Sequence, residues 1–193
     1  MAVVLPDTEI VTDPCRVAYP AVFDKKPKFQ GSPVEVYSAV ILIPPEMDLS
    51  PFHAVMKAAM LKQWNKLVKV EGRSNPLRKC EETPSLANLA GWHAINASSP
   101  VQPQVVDQRA QEVFQSDRLY GGMWCRFHLR CWAWDNKFGK GLSFQLNSLQ
   151  LIKDDARLDG RVAAKNIFAP VAGDGGALAD APTTEGGDEE LFG

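Results

Sequence analysis

The spacing of apolar residues changes several times along the chain, and each change marks an element. Val34 to Ile43 (VEVYSAVILI) is dense in β-branched residues and bounded by Pro33 and Pro44-Pro45, which predicts a strand. Asp48 or Ser50 then offers a helix cap, with Pro51 suited to the first turn. Val55, Ala59, Leu67 and Val70 recur at roughly helical spacing, predicting a helix over Phe52 to Val70. Trp92 to Ser98 (WHAINAS) returns to strand character, and Val105-Val106 adds a short apolar pair after Pro100 and Pro103. Tyr120-Gly121-Gly122 turns the chain into Met123 to Trp134, which alternates strictly. Asp135 to Gly141 (DNKFGKG) has hairpin-loop composition, and Leu142 to Ile152 is the return strand. Its apolar parity slips at Asn147-Ser148, the mark of a β-bulge that helps a sheet curve.

The rest of the chain is punctuation. Residues 1–13, with Pro6 and Asp13-Pro14, read as a loose arm, and Cys15 to Tyr19 as a short first strand ended by Pro20. Phe23 to Ser32 and Gly72 to Leu89 have loop composition, and no internal repeat is present. From Pro170 onward Gly, Ala, Asp, Pro and Thr dominate, as in disordered segments. The expected organisation is an arm over residues 1–13, a folded domain over 14–169 and a disordered acidic tail over 170–193. Several strands, one inserted helix and Gly/Pro-rich turns point to a mainly β fold, a closed or partly open small barrel with extended loops.

The alternation in Met123 to Trp134 is chemically unusual. Odd positions Met123, Cys125, Phe127, Leu129, Cys131 and Ala133 are all apolar and belong to a core. Even positions Trp124, Arg126, His128, Arg130, Trp132 and Trp134 are all aromatic or cationic. An ordinary solvent face carries Thr, Lys, Glu, Ser or Gln, and three bare indoles need a cover. Nucleobases stack on indole for about 1–3 kcal/mol each, with little sequence preference, and arginines meet phosphates or stack on bases themselves. Any single tryptophan could instead pack under the 72–89 loop or form a protein interface; the joint pattern favours nucleic acid. Trp92 opens a neighbouring strand, while Lys137, Phe138 and Lys140 lie in one flanking loop and Lys25, Lys26, Lys28 and Phe29 in another. Barrels of the OB type bind single strands across a sheet face flanked by such loops.

Charge sharpens this reading. The net charge of −2 conceals six acids after residue 173 (Asp174, Asp180, Glu185, Asp188, Glu189 and Glu190) with no base among them. The 21 Lys and Arg therefore face 17 acids in residues 1–173, and 14 of those acids in residues 14–173, which carry +7. A basic body with an acidic tail is a statement about partners.

Other chemistries find little support. Cys15, Cys80, Cys125 and Cys131 lack the paired spacing of a zinc site and read as buried free thiols in a reducing compartment. No run approaches the roughly 18 apolar residues that cross a bilayer, and the acidic N-terminus does not read as a secretory signal, so a cytoplasmic protein with no membrane partner is expected. No P-loop, nucleophile elbow or His-Glu metal motif occurs. Asp154, Asp155 and Asp159 are the only sketch of a nuclease metal cluster, and their turn setting argues for capping. No enzyme activity, cofactor or metal is expected.

Four stretches carry a resemblance: YPAVFDKKPKF (Tyr19 to Phe29), VYSAVILIP (Val36 to Pro44), INASSPVQPQVVD (Ile95 to Asp107) and AWDNKFGKGLSFQLNSLQLIKDDARLDG (Ala133 to Gly160). In this order they resemble the bacteriophage single-stranded DNA-binding proteins of replication-protein-A-like OB-fold type. The resemblance implies a five-stranded Greek-key barrel that coats single-stranded DNA in phage replication, recombination and repair. It also implies that Asp188, Glu189, Glu190, Leu191 and Phe192 recruit phage or host replication proteins such as a polymerase, primase-helicase or nuclease, although here Gly193 follows the aromatic. Competing readings are a protein-interaction module using the aromatic strand face and a nuclease accessory.

Overall fold

Among the described residues the backbone forms β1 (Glu9–Val11), β2 (Cys15–Pro27), β3 (Glu35–Ile43), α1 (Ser50–Trp64), β4 (Leu77–Lys79), β5 (His93–Ser99), β6 (Gln104–Val106), β7 (Trp124–Asn136) and β8 (Gly139–Lys153). These elements come from a computed structural model that describes residues 4–28, 30–137 and 139–158, all within the unit Met1–Arg161. The pairings return on themselves. β2 pairs with β3, β3 with β5, β5 with β8, β8 with β7, and β7 with β2 again. Within this ring of five, β5–β8 is the parallel pair. β1 adds to β7, β6 to β8 and β4 to β5. Among the described residues the protein is mainly β, with one α-helix, as its apolar spacing predicts.

The inner face is apolar because strand side chains alternate. Ala39, Ala97, Phe144 and Cys131 form one buried rung across β3, β5, β8 and β7. Helix α1 brings Phe52, Val55, Met56, Ala59 and Met60, a stripe at i, i+3, i+4, i+7 and i+8, into the same core. The slip in β8 falls where the sequence places it: His128 faces Ser148 and Leu129 faces Leu146, leaving Asn147 without an opposite number. Beyond that bulge the inward positions change from even to odd, so Leu146 and Leu149 are both buried.

Several boundaries differ from the sequence-based expectation. The first residues are not a loose arm throughout, since Glu9, Ile10 and Val11 pair with Arg130, Leu129 and His128. Thr12 fixes this strand: its N–H donates to the Phe127 carbonyl at 2.9 Å, and its Oγ1 accepts the Phe127 N–H at 3.1 Å. Three paired residues are too few to show a period, which is why the pattern does not reveal them. β2 does not stop at Pro20 but runs to Pro27, because the register slips between Ala18 and Ala21 and the proline sits in the irregularity. Helix α1 ends at Trp64 rather than Val70. Asn65 takes a left-handed φ of 53° and its N–H returns to the Leu61 carbonyl, closing the helix. Leu67 is consequently 59% exposed, and Lys66 and Lys69 lie beyond the helix. Asp48 contributes an Asx turn to Ser50 N–H at 2.9 Å rather than a cap. The segment 72–89 contains β4 and short 3-10 turns rather than an open loop. The expected boundary at 169/170 and the acidic tail lie outside the described residues.

All four thiols are buried. Desolvation pushes Cys15, Cys125 and Cys131 from the ordinary 9.0 up to about 12. In the unfolded chain these thiols ionise near 9, so the stability present below that value declines as pH rises from 9 toward 12. A thiol reagent at pH 8 should leave these three unlabelled until denaturant is added. Labelling of the native protein at the rate of a free thiol would show that the inner face is open.

Candidate nucleic-acid interface

The outward neighbours of the buried rung form a second rung of opposite character. Ser38 on β3 faces Ser98 on β5, Ser98 faces Gln145 on β8, and Gln145 faces Arg130 on β7. Four strands at about 4.8 Å spacing make this polar rung about 14 Å wide. One step along in the same direction, Trp132 faces Ser143 and Val40 faces Asn96. Apart from Arg130, these residues line a cleft of about 660 Å³, together with Tyr19, Lys28, Val34 and Val36. Trp132 is 45% exposed, whereas Trp64, Trp92, Trp124 and Trp134 are half-buried. Arg130, beside Trp132 on the same outward row, is exposed.

The beginning of β7 is engaged differently. Trp124 donates its indole N–H to Asp155 at 2.7 Å, packs on Trp92 at 6.3 Å between ring centres, and carries the Lys153 ammonium 4.8 Å above its ring. Arg16 donates from Nε to the Gly122 carbonyl at 2.9 Å and from Nη2 to the Ala156 carbonyl at 2.6 Å. Tyr120 donates its hydroxyl toward Asp154 and the Asp155 carbonyl, with Arg157 stacked 4.3 Å from its ring. Together these contacts clasp residues 154–157 onto the sheet. The clasp needs Gly122, whose φ is +118° and whose added Cβ would lie 2.2 Å from the Ala156 carbonyl oxygen. The Trp124 indole N–H, then the Ala156 N–H, then the Arg16 and Lys153 charges hold Asp155 below its ordinary 3.8. Trp92 itself leans over a small outer cluster of Ala18, Leu42, Cys80, Leu86 and Ala94.

Between clasp and cleft, β1 occupies the row. Arg126 donates to the Thr12 carbonyl at 3.0 Å, and His128 Nε2 lies 2.8 Å from Glu9 Oε2. Trp134 lies in register with Gly141, and a Cβ there would meet its ring at 2.2 Å, so the indole rests on the neighbouring strand where no side chain intervenes. Lys140 pairs with Asp135 at 2.7 Å and stands 5.4 Å from the Trp64 ring centre. Lys137 marks the exposed hairpin turn. Lys25 and Lys26, expected in a loop, lie instead on the end of β2, where Lys25 sits 5.4 Å from the Tyr37 ring centre and Lys26 is exposed; Lys28, just beyond, lines the cleft. Phe29, Phe138 and the tail residues Asp188 to Phe192 lie outside the described residues.

The structure thus joins Trp132 and Lys28 at one cleft, leaves Arg130 exposed beside it opposite Gln145, and sends Trp92 and Trp124 to another part of the sheet. Sequence reasoning missed Tyr19, Ser38, Asn96, Ser98 and Gln145. The available signal is the small polar outward set alternating with Ile95, Ala97 and Phe144, too bland to stand out beside indoles.

A ring of strands carrying a polar, partly aromatic outer cleft is an arrangement that suits nucleic-acid binding. Residues 8–178 match the family described as Enterobacter phage Enc34, ssDNA-binding protein, and the chain belongs to that family, a non-enzymatic class. Among solved structures, it is similar to the single-stranded DNA-binding protein of bacteriophage Enc34, at 20% identity and a TM-score of 0.68 over 84% of this chain and 90% of that one. The same phage protein in complex with ssDNA matches at 20% identity and a TM-score of 0.67, covering 78% of this chain and 89% of that one. A single-stranded DNA-binding protein encoded by bacteriophage T7 matches at 15% identity and a TM-score of 0.52, covering 80% of this chain and 97% of that one. No curated protein matches the sequence significantly.

Two outcomes follow for the clasp. Gly122→Ala should lower stability by about 1–3 kcal/mol, read as a drop in urea midpoint. Because Asp155 is favoured as the carboxylate, its stabilisation is present above the ordinary 3.8 and is lost as pH falls through the lowered value. Trp124 emission should therefore change on acidification below that range, and Asp155→Asn should abolish that change.

Proposed function

We propose that the protein binds single-stranded DNA with little sequence preference, through the outer cleft across β3, β5, β8 and β7. Family membership and the rung Ser38–Ser98–Gln145–Arg130 beside an exposed indole support this reading. Trp132 offers a stacking surface, Lys28 and Arg130 meet phosphates, and the small Ser and Asn side chains let the strand approach the sheet. Trp134, Lys137 and Lys140 extend the surface along the hairpin, while Trp92, Trp124 and Arg126 chiefly hold the sheet and its clasp. The ring order, its parallel β5–β8 pair and the outer location of the cleft support an OB-type barrel.

The biological setting we infer is coating of exposed strands inside an infected host cell, during phage replication, recombination and repair. The opposite charge of body and tail supports a recruiting role for Asp188 to Phe192, with Leu191 and Phe192 entering an apolar pocket on a replication protein and the acids meeting its cations.

Titration with oligo-dT should quench tryptophan emission. Trp132→Ala should remove most of that quenching and weaken binding by about 1–3 kcal/mol. Affinity should fall with salt, the logarithmic slope being about −0.7 per phosphate contacted, and Arg130→Ala should make the slope shallower. Unchanged emission on titration, with Trp132→Ala binding as the parent does, would refute the cleft as the binding face.

A further inference from the structure

Tyr19 holds a backbone conformation that few bulky residues adopt. Its φ of 47° is in the left-handed region, and it stands where the β2–β3 register slips between Ala18 and Ala21. Irregularities of this kind re-aim side chains, and strain of this kind collects at binding sites. The Tyr19 side chain is 62% exposed, so burial of its ring does not offset the strain. What the conformation achieves is position: Tyr19 lines two cavities at once.

One is the cleft described above. The other is a pocket of about 310 Å³ on the far side of the same residue, bordered by Pro20, Leu86, Asn88, Leu89 and Leu158. Its walls are mostly apolar, with Asn88 and Ser85 contributing polar groups, and no Lys or Arg among the described residues lines it. Such a lining does not suit a phosphate. It suits a flat, largely apolar ring with a hydrogen-bonding edge, which an amide can meet with both a donor and an acceptor.

We propose that this pocket receives one nucleobase turned out of the strand lying in the cleft, with Tyr19 stacking on that base and Asn88 bonding its edge. The proposal rests on the single-stranded DNA reading given above. Continuity supplies the occupant, because Tyr19 is shared by both walls, so a strand lying in the cleft would need only to cross that one side chain to reach the pocket.

Two variants test it. Asn tolerates a left-handed φ better than Tyr, so Tyr19→Asn removes the ring without adding strain. A Cβ on Gly121 would sit 3.8 Å from the Tyr19 nitrogen and 4.0 Å from Pro20 Cδ, ordinary contacts, so Gly121→Leu fills the pocket from its wall. Each variant is titrated with oligo-dT and with an abasic oligomer of equal length, and its thermal midpoint is recorded. Both should lose at least about fivefold in oligo-dT affinity, the scale of one lost stack, and Gly121→Leu should bind the abasic oligomer as the parent does. Tyr19→Asn should melt no lower than the parent. If the parent binds oligo-dT and both variants match it, the base pocket falls and the cleft stands. If the parent fails to bind oligo-dT, both fall. Tighter binding by Gly121→Leu would mean that the pocket ordinarily seats the chain's own C-terminal segment, and would overturn the base as occupant.

Discussion

Neighbouring side chains on a strand point to opposite faces, and in a ring of strands that becomes a division between inside and outside. Every inward position of β7 from Cys125 to Cys131 is spent on the core, so its chemistry can be displayed only on the intervening residues. The same rule, carried across hydrogen-bonded partners, aligns Ser38, Ser98, Gln145 and Arg130 outside while Ala39, Ala97, Phe144 and Cys131 align inside. The packing of the core and the presentation of the cleft are two consequences of one set of backbone pairings. A change in register at β7–β8 would spoil both.

The outward row of β7 is not uniform. At its start, Trp124 is held by Asp155, Trp92 and Lys153; in its middle, Arg126 and His128 meet the backbone and carboxylate of the N-terminal segment; only near its end do Arg130 and Trp132 reach open space. Identical residue types therefore do different work according to what the rest of the chain lays against them. An indole with a satisfied N–H and two ring neighbours braces the sheet, whereas an indole bordering a polar cleft is available to a ligand.

This division explains what was legible beforehand. The apolar alternation of β7, the strand character of β3, the return strand β8 and its bulge at Asn147 follow from local pattern, because each is a long run with one dominant period. The helix is legible as well, but its end is not: Leu67 and Val70 keep helical spacing after Asn65 has already turned the backbone. β1 was hidden because three residues have no period. Separating Trp132 from Trp124 requires knowing that Asp155, thirty-one residues later, returns to the Trp124 ring nitrogen. The left-handed φ of Tyr19 and its place on two cavities have no signature in residue type.

The hydrogen bond between His128 and Glu9 joins groups 119 residues apart, and β7 also closes the ring against β2. During synthesis, β2, β3 and β5 are therefore complete while the strands that cap their greasy side are still unmade. Contacts of such long range slow folding and leave hydrophobic surface open to other chains in the interval. A growing copy is most vulnerable to aggregation before residue 153 emerges, and fusing a fast-folding partner upstream would not shorten that exposure.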